Sequence, residues 1–135
     1  MLLSPDRTWH GNNGASKEAL DALRSAVVQT LPSAYFELLE YSNGGEGPLP
    51  PPFYNLCLDS VEVASDPEQL RVFSEMYPEL FVFGGDGGCQ LFAFDFRGKE
   101  PWPIVSFDGV DPFGSIEKIA DSFEAFLQFV GRDAL

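Results

Sequence analysis

Two phenylalanine-rich runs joined by a glycine-rich link constrain the fold of this 135-residue chain more than any other feature. The runs lie at 80–83 and 89–96, and the link is Gly84-Gly85-Asp86-Gly87-Gly88. Two apolar runs separated by such a link predict an antiparallel β-hairpin. Because side chains alternate across a strand, the second run should have one face formed by Leu91, Ala93 and Asp95 and another formed by Phe92, Phe94 and Phe96.

Amphipathic segments around this hairpin predict helices. Capping residues, prolines and glycines predict four helices. The first spans 16–31, the second begins at 32 and is stopped by the residues at 43–45, and the others span 66–76 and 121–130. Further strands are predicted at 54–58, after an extended loop of prolines, and at 102–107. We therefore expect an α+β single domain, an antiparallel sheet with a Gly-rich hairpin flanked by about four helices. This domain should span residues 16–135 and follow an N-terminal arm at residues 1–15.

The charge of the chain limits its partners. Eight Lys and Arg against 21 Asp and Glu give a formal net charge of −13 at pH 7. Binding to nucleic acid or to an anionic membrane needs clustered basic side chains, so neither is an expected direct partner. The first 13 residues lack the apolar stretch, roughly 7 to 15 residues long, of a secretory signal. We therefore expect a cytoplasmic protein.

The acids are concentrated in two segments without Lys or Arg. Residues 25–70 contain seven carboxylates, and residues 100–117 contain four. If the two segments meet in the fold, they form one strongly negative face.

Few residues suggest catalysis or metal binding. The single histidine, His10, lies in the predicted arm, and Cys57 and Cys89 lack the short spacing of a zinc site. We expect these cysteines to be reduced, buried thiols, with a disulfide or redox pair as the alternative. The glycine link lacks the spacing of a phosphate-binding loop. We expect no cofactor and no metal; a small hydrolase that uses two carboxylates remains an alternative.

The segment at 31–47 has the sequence L-P-S-A-Y-F-E-L-L-E-Y-S-N-G-G-E-G. It resembles the L-P-x-x-Y-x-x-L-L-x-x-x-N-G-G-x-G signature of the SUKH superfamily, which includes fungal cell-wall assembly and glucan-synthesis regulators. The resemblance extends to the preceding helix, the hairpin and the terminal helix, and so covers about 16–130. The residues to which we assign a structural role on this basis are Leu31, Pro32, Tyr35, Leu39, Asn43, Gly44, Gly45, Gly47, Gly84, Asp86, Gly87, Asp95, Phe123 and Phe126.

The resemblance implies a non-catalytic protein. Bacterial members of the superfamily resemble immunity proteins of polymorphic toxin systems, which bind a cognate toxin, often a nuclease or deaminase, and block it. The alternative is a regulatory or scaffold protein with an endogenous partner, as in the fungal cell-wall regulators.

The net charge adds a physical reason to favour a toxin as the partner. A nuclease attracts its substrate with a basic surface, and an acidic inhibitor competes for that surface with an association rate raised roughly 10- to 1,000-fold. We expect acids and aromatic anchors to rim a concave partner-binding site, unless the acids are merely solvated and the aromatics belong to the core. The predicted residues are Glu46, Asp59, Glu62, Asp108, Asp111, Tyr54, Trp102 and Phe113.

Overall fold

A computed structural model describes residues 2–134 of the chain. Within that range one antiparallel sheet contains seven strands, and each strand pairs with the next one along the chain. The strands are β1 (His10–Gly11), β2 (Gly45–Pro48), β3 (Asn55–Leu58), β4 (Leu80–Gly85), β5 (Gln90–Asp95), β6 (Ile104–Asp108) and β7 (Glu117–Ala120). The helices are α1 (Lys17–Ala26), α2 (Ser33–Tyr41), α3 (Val61–Ala64), α4 (Pro67–Met76), α5 (Pro112–Ser115) and α6 (Phe123–Leu127). The predicted α+β single domain on an antiparallel sheet is confirmed.

The two faces of β5 enter different cores, as the alternation predicts. Phe92 and Phe94 are fully buried in the larger core, to which α1, α2, α3 and α6 contribute. Ala93 belongs to a smaller core on the opposite face, where Phe107 packs against Tyr77 at a ring-centroid distance of 4.9 Å. We call the sides with the larger and smaller cores the inner and outer faces of the sheet.

Tyr35 of α2 lies at the centre of the larger core. Its ring contacts those of Phe83, Phe94 and Phe123 at centroid distances of 6.1, 5.3 and 5.5 Å. Aromatic pairs of this kind add about 0.5–1.5 kcal/mol each beyond the burial of their area. The buried Tyr35 hydroxyl has no hydrogen-bond partner within residues 2–134, and burial raises its pKa. Tyr35 therefore contributes to the fold as an aromatic core residue.

The Asn43-Gly44-Gly45 segment leads from α2 into β2, and the Asn43 side chain contacts the start of α3. The Asn43 side chain accepts a hydrogen bond from the backbone N–H of Val61 at 2.7 Å and donates one to the Glu62 carboxylate, also at 2.7 Å. Val61 is the first residue of α3, so Asn43 satisfies one of the N–H groups that a helix start leaves unpaired. The amide side chain thus orients α3 from a segment distant in sequence.

Residues 2–15 lie against the rest of the domain. β1 pairs with β2, with His10 opposite Glu46, so the single histidine is part of the sheet. The Trp9 indole packs on the glycine-rich β2, where a Cβ atom on Gly47 would lie 2.6 Å from the ring. The Trp9 ring is also packed against the larger core. The N-terminal segment therefore extends both the sheet and the core.

The predicted helix starts at Ser16 and Asp66 are confirmed. The Ser16 hydroxyl and the Asp66 carboxylate each accept a hydrogen bond from the backbone N–H three residues later, at 3.2 and 2.9 Å. α1 ends at Ala26, before the predicted end at residue 31. The next residue, Val27, has extended backbone angles, which its β-branched side chain favours.

The predicted start of the last helix is wrong by one residue. Ser122 caps α6, because its hydroxyl accepts a hydrogen bond from the backbone N–H of Ala125 at 3.1 Å. The carboxylate of Asp121, the predicted cap, instead forms an ion pair with Lys118 at 2.7 Å. α6 ends at Leu127, although Val130 is still buried in the turns that follow.

Cys57 and Cys89 are free cysteines, but the expectation that both are buried is wrong. Cys57 is half-buried in β3, while Cys89 is exposed in the turn between β4 and β5. The hairpin turn lies further along the chain than predicted: Gly84 and Gly85 belong to β4, and β5 begins at Gln90, so Cys89 lies in the turn.

None of the helices in the part of the chain that the structure describes has both the length and the apolar character of a bilayer-spanning segment.

Candidate partner-binding surface

Three turns lie together at one end of the sheet. The segments 49–54, 86–89 and 109–116 connect β2 to β3, β4 to β5, and β6 to β7. Because β3 pairs with β4 and β5 with β6, these segments stand side by side along the same end. We call this end of the sheet the turn end; none of its three turns contains Lys or Arg.

The turn end brings together five of the eight predicted partner-binding residues. They are Glu46, Tyr54, Asp108, Asp111 and Phe113. The Tyr54 and Phe113 side chains are 67% and 68% exposed, so neither ring belongs to a core. Exposed aromatic rings beside carboxylates are suited to serve as anchors for a protein partner.

The other three predicted residues lie elsewhere. Trp102 is at the opposite end of the sheet, where its ring packs against Phe96 at 5.0 Å and its Nε1 donates to the carbonyl of Thr30 at 2.9 Å. Glu62 is in α3, and Asp59 follows β3 on the side away from the turn end. The two acidic segments therefore do not form a single face, because the strands carry consecutive acids to opposite ends of the sheet.

Within residues 2–134, no basic side chain forms an ion pair with the five predicted acids. The carboxylates that do form ion pairs there are Asp6, Asp21, Glu68, Glu75, Asp95 and Asp121. Glu46, Asp108 and Asp111 thus have no basic side chain of the described part of the chain within ion-pair distance, although His10 lies opposite Glu46 in the sheet. The field of these carboxylates extends over a Debye length of about 8 Å at physiological ionic strength.

Glu46 is part of a small polar cluster on the outer face. Its carboxylate accepts hydrogen bonds from Nδ2 of Asn55 at 3.1 Å and from the Cys57 thiol at 3.2 Å. These two bonds stabilise the charged form and lower the pKa of Glu46. Burial, together with the Glu46 carboxylate, raises the pKa of Cys57. The Cys57 thiol therefore stays protonated at neutral pH and is a poor nucleophile.

Hydrogen bonds within the turns position the carboxylates of Asp86 and Asp108. Asp86 accepts from the backbone N–H of Gly88 at 2.7 Å, and Asp108 accepts from that of Val110 at 2.8 Å. Tyr54 has a φ of 68°, an uncommon conformation for a residue other than glycine. These bonds hold the Asp86 and Asp108 carboxylates in place within their turns.

Sequence reasoning missed two residues of this surface. Asp86 was expected to have only a structural role, and Val110, which is 86% exposed, was not singled out. The shared absence of Lys and Arg from the three turns is the signal that could have found them.

A groove lies on the outer face between α4 and the β4–β5 hairpin. Its volume is about 330 Å³, and its lining includes Cys57, Asp59, Phe73 and Leu91. Burial raises the pKa of Asp59 to about 6. A hydrolase with paired carboxylates needs a second acid in the same cleft, yet Asp59 is the only acid among the described residues that line this one. We call this cavity the Asp59 groove.

Fold and surface together define an α+β domain whose antiparallel strands run in sequence order and end in acidic turns. A family model described as the SMI1 / KNR4 family (SUKH-1) matches residues 14–128. The chain therefore belongs to the SMI1 / KNR4 (SUKH-1) family, which confirms the resemblance. No curated protein gives a significant match to the chain. At the level of the family, membership supports a non-enzymatic immunity or regulatory role and a protein partner.

Proposed function

We propose that this protein is a cytoplasmic immunity protein that binds a cognate bacterial toxin through the turn end and blocks it. One observation carries the proposal: acids without a basic partner in the described chain flank two exposed aromatic rings. A toxin that acts on nucleic acid needs a basic surface for its substrate, and the turn end complements such a surface. Family membership supports the same kind of role.

The geometry suggests that charge and apolar contact act at different stages of binding. The acids of the turn end attract a basic surface from a distance and raise the association rate. Tyr54 and Phe113, on the first and last of the three turns, then anchor the complex within an interface of about 800 Å² per partner. A toxin held in this way has its substrate-binding surface covered by protein.

The test combines capture with protection of growth. The tagged chain is used to capture partners from the cell that encodes it, and each captured protein is expressed alone and together with the chain. We expect one captured protein to arrest growth when alone and to be harmless beside the chain. Recovery of only cell-envelope synthesis enzymes would contradict the immunity function and support the regulatory alternative.

Matched variants locate the binding surface. Asp108→Asn with Asp111→Asn removes two charges from the turn end, while Glu37→Gln with Glu40→Gln removes two from exposed positions on α2. We expect the first pair to reduce protection and the second pair to preserve it. The affinity for the toxin should also fall as salt is raised. An affinity that is insensitive to salt would contradict the electrostatic part of the proposal.

A further inference from the structure

The Asp59 groove contains a carboxylate that the fold itself does not use. No group within residues 2–134 stabilises the charged form of Asp59 by a hydrogen bond or an ion pair, and burial alone accounts for its raised pKa. A carboxylate held partly out of water without a partner lowers the stability of the folded state. A cation that offsets this cost would have to come from outside the described residues, because no basic side chain among them forms an ion pair with Asp59.

The remainder of the groove suits the hydrocarbon part of a long side chain. Phe73 of α4 and Leu91 of β5 form apolar walls. The glycines at 84, 85, 87 and 88 also line the groove and add no side chain that would fill it. Apolar walls beside a carboxylate match a residue with an aliphatic stem and a cationic head.

The groove is continuous with the turn end. Gly87 and Gly88 line it and belong to the turn 86–89. The Glu46 carboxylate lies 3.2 Å from the Sγ atom of Cys57, which also lines the groove. None of its described lining residues is Lys or Arg. A positively charged side chain thus meets only negative or neutral groups on its way to Asp59.

We propose that the Asp59 groove receives an arginine side chain of the partner protein, an inference that rests on the proposed function. A planar guanidinium can stack on the Phe73 ring and donate two parallel hydrogen bonds to a carboxylate, which a lysine ammonium cannot do. The exposed acids of the turn end then govern association, while the arginine in the groove slows dissociation. Arginine is also enriched among the residues that dominate interface energies.

The test uses Nα-acetyl-arginine amide as a probe on the intact protein, followed by NMR. We expect the backbone amide signals of Gly84, Gly85 and Leu91 to shift with arginine and to stay unchanged with the uncharged Nα-acetyl-citrulline amide. Asp59→Asn should weaken arginine binding about tenfold or more. Glu37→Gln removes the same charge from an exposed position and should leave binding unchanged.

The two cysteines provide a second measurement on the wild-type chain. Bound arginine should slow the alkylation of Cys57, which lines the groove, and leave that of Cys89 in the exposed turn unchanged. Equal binding of the arginine and citrulline probes, or unprotected Cys57 at saturating arginine, would overturn the proposal.

Different outcomes test the arginine-binding groove and the proposed immunity function. An Asp59→Asn variant that protects cells from the toxin as well as wild type does would overturn the groove as a partner pocket and leave the function standing. Arginine binding in the groove of a chain that captures no toxin would support the pocket and contradict the function.

Discussion

Trp9 and Gly47 lie in such close contact that a Cβ atom on Gly47 would be 2.6 Å from Cε3 of the indole and 2.7 Å from the carbonyl oxygen of Thr8. The last glycine of the family motif is therefore required by the N-terminal segment that lies against it. This contact explains a motif position by packing between β2 and the residues that directly precede β1.

We expect Gly47→Ala to lower the free energy of unfolding by about 1–3 kcal/mol, because the added methyl group overpacks the Trp9 contact. Urea denaturation measures the loss. Gly98→Ala is the control, since no atom lies within 4 Å of the added carbon and the expected change is within about 0.5 kcal/mol. Equal losses in the two variants would contradict the close contact.

Asn43→Ala should destabilise the protein by about 1–2 kcal/mol, because the backbone N–H of Val61 loses its acceptor. Asn43→Asp keeps an acceptor for that N–H but places a second carboxylate beside Glu62. Its stability should therefore improve when Glu62→Gln is added, as a double-mutant cycle in urea would show. Strict additivity of the two changes would argue against the contact.

Asp59 should make stability depend on pH. Its folded pKa of about 6 exceeds its usual value of 3.8, so between these values the native state binds more protons than the unfolded state. The free energy of unfolding therefore falls as pH rises through this window, by at most about 3 kcal/mol. Partial exposure to solvent reduces the expected loss to about 1–2 kcal/mol.

Asp59→Asn removes this loss, so the variant should be more stable than wild type at pH 7.5 by about 1–2 kcal/mol. The difference should shrink when the comparison is repeated at pH 4. If the difference in stability between wild type and Asp59→Asn were the same at pH 7.5 and pH 4, the charge of Asp59 would not be its cause. A side chain that lowers the stability of the folded state, as Asp59 is expected to do, is typical of a binding site.

Phe113→Ala should separate binding from stability. The side chain is 68% exposed, so we expect a change in stability within about 0.5 kcal/mol. Affinity for the partner should fall about tenfold or more if the ring is an anchor. Phe123→Ala is the contrasting variant, because that ring is 1% exposed and its loss should cost about 3–5 kcal/mol. Unchanged affinity of Phe113→Ala would remove this ring from the interface.

Trp102→Phe should have the opposite profile. The indole Nε1 donates to the carbonyl of Thr30 at 2.9 Å, and the loss of that bond should lower stability by about 1 kcal/mol. Because Trp102 is at the other end of the sheet, affinity for the partner should stay the same. Weaker binding without a change in stability would place Trp102 in the interface after all.

The sequence predicts elements well where the local signal is strong. β4, β5 and α4 follow from two apolar runs, a glycine link and a capping carboxylate. β2 and β7 were not predicted, because the sequences Gly-Glu-Gly-Pro and Glu-Lys-Ile-Ala have no alternation that favours a strand. They are strands because neighbouring strands provide their hydrogen bonds.

By itself the sequence determined the types of the main elements, the two faces of β5, the excess of acid and the family signature. Only the tertiary structure decided that Glu46, Asp108 and Asp111 lie at the same end of the sheet while Asp59 lines a groove. The physical reason is that local sequence signals and strand pairing act over different separations along the chain. Capping and alternation act between residues a few positions apart, whereas strand pairing sets which distant side chains meet and how far burial removes a carboxylate from water.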